Sequence, residues 1–187
     1  MRDKQIIQEK SSEKVAKFLE KNSLHKKDFA EMIGVTLSYV YNLIDESIPF
    51  STRGTTLERI ATVMEIEPEE FEEYKIPQEP LLIDDSVEFI KDALRAKKMS
   101  VVNFLKAFPR KKRLDMVDIL RGNLPVPIDY KELSMIGQVL DLSADEVYGI
   151  WEKRMKQVLE INGMNVYANA ALVNSMFDCA KKFIHLK

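Results

Sequence analysis

Leu37, Ser38, Tyr41 and Asn42 stand at i, i+1, i+4 and i+5, a spacing that sets them on one outward strip of a helix. Together, an aliphatic chain, a hydroxyl, a phenol and a carboxamide offer no acid–base or nucleophilic chemistry. They offer hydrogen bonds and apolar contact to another surface. The rest of the chain holds no glycine-rich phosphate loop, no nucleophile with a paired histidine and no convergent carboxylates on one element, so no catalytic activity is expected. With His25, His185 and Cys179 as its only histidines and cysteine, the sequence predicts no metal cluster and no internal disulfide, and it indicates no cofactor or small-molecule ligand.

Two short helices broken at a glycine would hold that strip. Ala30, Met32 and Ile33 place small and apolar groups on one face of the first, and Gly34 sits where the chain must leave it with positive φ. Val35 packs into the corner, Thr36 caps the second helix, and Val40, Leu43 and Ile44 face inward at helical spacing. This is a helix-turn-helix, and an outward face that starts at a helix N-terminus is what the major groove of duplex DNA admits. An upstream helix is expected from Ser12 to about Asn22, with Val15, Phe18 and Leu19 inward. Downstream, Thr55 and Glu58 form a capping box for a fourth helix, and Pro68 after Glu67 suits the first turn of a fifth. None of these helices is long enough to stand alone in water, so all five must share one core.

Over residues 11–74 the chain resembles the Cro/CI-type, XRE-like helix-turn-helix family of phage-repressor-like proteins. The segment Leu24 to Ile44 carries the resemblance, and Leu57 to Phe71 looks like the family's fourth and fifth helices. The resemblance implies a double-stranded DNA partner and a role in transcription regulation. It places Leu37, Ser38 and Asn42 at outward sites of the recognition helix, Asn42 suited to adenine and Leu37 to a thymine methyl. Tyr41, also outward, is grouped with them as an expected base contact, where it could instead meet a sugar, a phosphate or a protein. Near this face lie the cations Lys26, Lys27 and Arg53, with Thr36 and the N-terminal amides of its helix, all expected to contact phosphate.

Sliding the chain on itself by about seventy-six residues reveals a repeat. Leu57, Ile60, Val63, Met64, Ile66 and Phe71 then meet Leu133, Ile136, Val139, Leu140, Leu142 and Val147, and Ser143 with Glu146 forms a capping box where Glu67 to Glu70 stands in the first copy. Asp85 and Glu88 would cap a helix through Phe89, Ile90, Ala93 and Leu94, and Met99 to Leu105 mirrors the segment that starts at Leu24. There the register slips by one residue. At the place of the glycine turn the second copy reads Phe108-Pro109-Arg110, with Pro109 able to begin the next helix. The predicted fold is all-α, two tandem five-helix phage-repressor-like domains at residues 1–74 and 85–150, joined by a linker at 75–84 that contains Pro77 and Pro80, and followed by a C-terminal extension at 151–187.

Net charge is −2, but residues 1–80 hold 11 basic and 16 acidic groups whereas residues 81–187 hold 17 and 14. Arg110, Lys111, Lys112, Arg113 and Arg121 bracket the second helix of the second copy. They read either as a solvated face or as a second DNA surface that assists through phosphate contacts. A helix from Ala144 through Val158 should stop near Asn162-Gly163, and a last amphipathic helix should carry a seam of Val166, Ala170, Val173, Phe177, Ala180 and Ile184. Packing back on the chain's own second domain is the commonest use of such a seam, and a homodimer contact is the other. No apolar run is long enough to span a bilayer and the N-terminus lacks a secretory core, so the cytoplasm is the expected location. The alternative to a DNA-binding regulator is a helix-turn-helix protein-interaction module, an adaptor or antitoxin-like partner, favoured by net acidity and by Leu37, Tyr39 and Tyr41.

Overall fold

The computed structural model describes residues 10–50, 52–74 and 86–184. The linker at 75–84, Asp85 with its expected cap, and His185 lie outside them, as does the side chain of Ile184. Among the described residues the fold is all-helical, and no helix is long and apolar enough to cross a membrane. In chain order the helices are α1 (Ser11–Lys21), α2 (Lys26–Ile33), α3 (Leu37–Ile44) and α4 (Gly54–Met64), a single 3₁₀ turn at Pro68–Glu70, then α5 (Ser86–Ala96), α6 (Val101–Lys106), α7 (Arg110–Leu120), α8 (Tyr130–Val139), α9 (Ala144–Ile161) and α10 (Ala170–Ile184).

The chain forms two compact units that are not consecutive in sequence. Unit 1 comprises Met1–Leu81 and Met99–Leu124; unit 2 comprises Leu82–Lys98 and Pro125–Lys187. The domain boundaries expected at 74, 85 and 150 therefore do not coincide with the units. After α5 the chain leaves unit 2, contributes α6 and α7 to unit 1, and returns at Pro125.

In unit 1, α2 packs against α3, α4 and α7, α1 against α3, and α4 against both α6 and α7. Buried side chains include Val15, Phe29, Met32, Ile33, Val40, Leu57, Ile60, Phe104, Leu105 and Val117. Phe18 is half-buried, with its ring 6.3 Å from that of Phe29. The fifth helix expected after Glu67 is only the 3₁₀ turn, and α6 and α7 supply the helical cover that α4 needs. The capping box expected at Thr55 and Glu58 does not form either. Arg53 enters extended at φ −74°, ψ 148°, so α4 already begins at Gly54, and Glu58 turns inward to Arg121 and to the Tyr74 hydroxyl at 3.1 Å.

In unit 2, α9 packs against α5 and α8. Gly137 allows the close approach of α8, since a Cβ there would lie 2.3 Å from Val147 Cγ2. The capping box of Ser143 and Glu146 forms at the start of α9, where the Ser143 side chain and amide share the Glu146 carboxylate at 2.7 Å. These bonds to Ser143 hold Glu146 below its ordinary pKa. Helix α9 ends at Asn162, with Gly163 at φ 87°. Val166, Val173 and Phe177 then pack with Tyr148 and Trp151.

The two copies keep matching stops. Ser23 and Lys98, 75 residues apart, have φ of 46° and 51°; Glu65 and Asp141, 76 apart, have 59° and 49°. At the second pair the bonding matches too, with Ile66 N–H to Ala61 O at 3.1 Å and Leu142 N–H to Gly137 O at 2.8 Å. The two spacings place the one-residue slip between these stops, where the sequence locates it.

Candidate nucleic-acid interface

Gly34 ends α2 in the left-handed region at φ 73°, ψ 38°, and the Val35 N–H returns to Ala30 O at 2.9 Å. A glycine is favoured here, because an L side chain in this conformation costs about 1–2 kcal/mol and its Cβ would meet Leu114 of α7 at 3.0 Å. Thr36 then caps α3, its Oγ1 accepting the Tyr39 N–H at 3.2 Å. With Val40 and Leu43 fully inside, the helical period turns Leu37, Ser38, Tyr41 and Asn42 outward, and all four are exposed. Tyr39 and Ile44, at the edges of the buried stripe, are half-buried.

The ends of α3 differ in charge. At the C-terminal end Asp45 accepts the Ser47 hydroxyl at 2.6 Å and the Ser47 amide at 2.9 Å, and these bonds lower its pKa below the ordinary 3.8, keeping it anionic. Glu46 follows, exposed. At the other end Thr36 caps the Tyr39 amide and the first turn carries no acid, so the remaining N-terminal amides favour an anion. Lys26, the first residue of α2, holds its ammonium 5.4 Å from the centroid of the Tyr41 ring, so this expected phosphate contact and this expected base contact touch each other. Lys27 is exposed, and so is Arg53 at the start of α4.

The five cations expected to form a second surface are not one surface. Arg113 is buried, with Nη1 on Asp28 at 3.2 Å and Nε donating to Phe108 O at 3.3 Å. Arg121 lies inside between Glu58 and Asp118, the latter at 3.0 Å, and Asp118 also takes a two-pronged bond from Arg59 at 2.8 and 2.7 Å. Arg110 is more than half exposed, yet it reaches Glu31 at 3.3 Å and Asp28 at 3.6 Å. Lys112 is half-buried, and of the five only Lys111 and Arg110 are exposed. The physical reason is that α7 lies on α2 and α4, so that its arginines answer acids from the first copy. No local sequence signal marks these pairings, which join residues 85 and 63 positions apart. Among the described residues no three His, Cys, Asp or Glu side chains are grouped to hold a metal ion.

Comparison with family models, with curated proteins and with solved structures finds no match to this chain. A functional reading therefore rests on the geometry of α2, the Gly34 turn and α3.

Proposed function

We propose that unit 1 is the DNA-reading part of a transcription regulator of the Cro/CI-like type, with α3 entering the major groove. The observation that carries this reading is the exposed strip of Leu37, Ser38, Tyr41 and Asn42 on a capped helix that begins one turn after α2. Asn42 reads adenine and Leu37 meets a thymine methyl, while Lys26, Lys27 and Arg53 take phosphates around them. Helix α7 serves as a brace for α2 rather than as a second reading head.

Selection of bound duplexes from a randomised pool at two salt concentrations, followed by sequencing, tests the proposal. An enriched motif is expected, and Asn42→Ala should relax one position of it at a cost of about 1–3 kcal/mol. Replacing Lys26 and Lys27 with glutamine should flatten the dependence of log affinity on log salt by about 0.9 for each phosphate no longer neutralised. A motif that survives Asn42→Ala unchanged would remove α3 from base reading. The protein-interaction reading is favoured by the apolar content of the same face, where Leu37 is 40% and Tyr41 54% exposed. Absence of duplex retention even at low salt would make it the better account.

A further inference from the structure

Helix α10 carries two apolar seams, and among the described residues only one is buried. Val173 and Phe177 are buried against Tyr148, Trp151 and their neighbours. About 110° round the helix, Leu172, Met176 and Phe183 remain 57%, 50% and 66% exposed, with Cys179 exposed among them. These four residues fall within roughly 60° of arc, and their spacing of four, three and four is that of a helix-pairing seam. Of the seam expected from the sequence, Val173 and Phe177 on α10 and Val166 before it are covered by the chain itself, while Ala170 stays exposed and a second row of larger apolar side chains faces outward.

We infer that this outer seam of α10 docks against the same seam of a second copy of the chain, in antiparallel orientation. A spacing of four, three and four reads the same in both directions, so a two-fold axis between Met176 and Cys179 brings each residue onto a partner residue, as an isologous interface requires. Leu172 then lies against Phe183 of the second copy and Met176 against its Cys179, which sets a large side chain beside a small one at the centre. No charge lies in the seam. Lys182, which flanks it, faces Ser175 of the second copy, so no like charges oppose one another. One helix face from each chain falls at the small end of area for a stable dimer, where exchange at micromolar concentration is expected. The inference is independent of the DNA reading.

The test is sedimentation equilibrium of the full chain across micromolar concentrations, with helix content followed by circular dichroism. The expected mass rises from 21.6 kDa toward twice that value. Met176→Glu, at an exposed position, should keep the helix content and weaken association by more than about tenfold, because the carboxylate would be buried without a partner. Leu172→Glu should act alike from the far end of the seam. Under mild oxidation Met176→Cys should yield dimers in which the introduced thiol is joined to Cys179 of the second copy, recovered as that one cross-linked peptide pair. A chain that stays at 21.6 kDa at every concentration overturns the inference. So does a dimer indifferent to both glutamates, which would mean another surface or another partner class, and so does preferential joining of Cys179 to Cys179, which would mean parallel helices.

Discussion

Replacing Arg121 with alanine separates the interleaved arrangement from a consecutive one. The Arg121 guanidinium is 5% exposed and holds the Glu58 carboxylate, 9% exposed, and Asp118. Removing one partner of a buried ion pair costs about 3–5 kcal/mol, because the surviving charge stays desolvated. Here the lower end applies. Arg59 still holds Asp118 by two bonds, and the Tyr74 hydroxyl still donates to Glu58. At a urea slope of about 2 kcal/mol per molar, a loss of about 3 kcal/mol lowers the midpoint of unit 1 by about 1.5 M.

The sequence's single tryptophan, Trp151, lies in unit 2, so its fluorescence follows that unit while circular dichroism follows both. Arg121→Ala should advance an early circular dichroism transition and leave the Trp151 midpoint where it is. In a consecutive arrangement Arg121 belongs to the same domain as the helices that pack around Trp151, and the tryptophan transition would shift instead. That outcome, or a shift of less than about 0.5 kcal/mol in the circular dichroism transition, would refute the argument from the buried pair. Replacing Glu58 with leucine and Arg121 with methionine together should recover most of the loss, since a buried pair exchanged for apolar groups is often neutral.

Gly137→Ala provides the converse. Its Cβ would stand 2.3 Å from Val147 Cγ2, a short branched side chain that cannot swing away, so a loss of about 1–3 kcal/mol should appear in the Trp151 transition and spare unit 1. Alkali should also act on unit 2. Burial is the main reason that the Tyr148 phenol titrates above its ordinary 10.0, and it donates to Phe177 O at 2.5 Å. The unfolded chain ionises first, so the Tyr148 contribution is complete below pH 10.0 and is lost as pH rises through the folded value. Urea midpoints from Trp151 fluorescence should fall over that range. Tyr148→Phe should reduce the fall, leaving the part due to Tyr130, whose pKa burial also raises.

Local chemistry made much of the fold legible. Gly34 and Gly163 adopt positive φ, Thr36 caps α3, Ser143 and Glu146 form their box, and the one-residue slip falls between paired left-handed stops. Each of these depends on residues within a turn of one another. What was not legible is which helix meets which. Periodicity shows that α7 has an inner face with Arg113, Val117 and Arg121 on it, but the acids they meet, Asp28 and Glu58, lie 85 and 63 residues away. Two diverged copies make the problem worse, because α6 and α7 carry a pattern suited to either copy's remaining helices. The missing box at Thr55 has a nearer cause, since α4 already begins at Gly54 and Thr55 falls inside its first turn. On α10 the pattern contains two seams, and only packing decides that Val173 and Phe177 go inside while Leu172, Met176 and Phe183 stay out.

The placement of α7 bears on the DNA reading in a way the sequence pattern does not. A short recognition helix binds well only if its orientation is fixed before the groove is met, since ordering it on binding would subtract from affinity. Helix α3 is eight residues long, and it takes its direction from α2 through the Gly34 turn. Helix α7 holds α2, with Arg110 and Arg113 on Asp28 and Glu31 and with Leu114 against the turn itself. On the proposed reading Arg110 and Arg113 of α7 serve rigidity rather than phosphate binding. The salt dependence of DNA affinity should follow Lys26, Lys27 and Arg53, and Arg110→Gln should leave its slope unchanged while lowering affinity only through a looser α2.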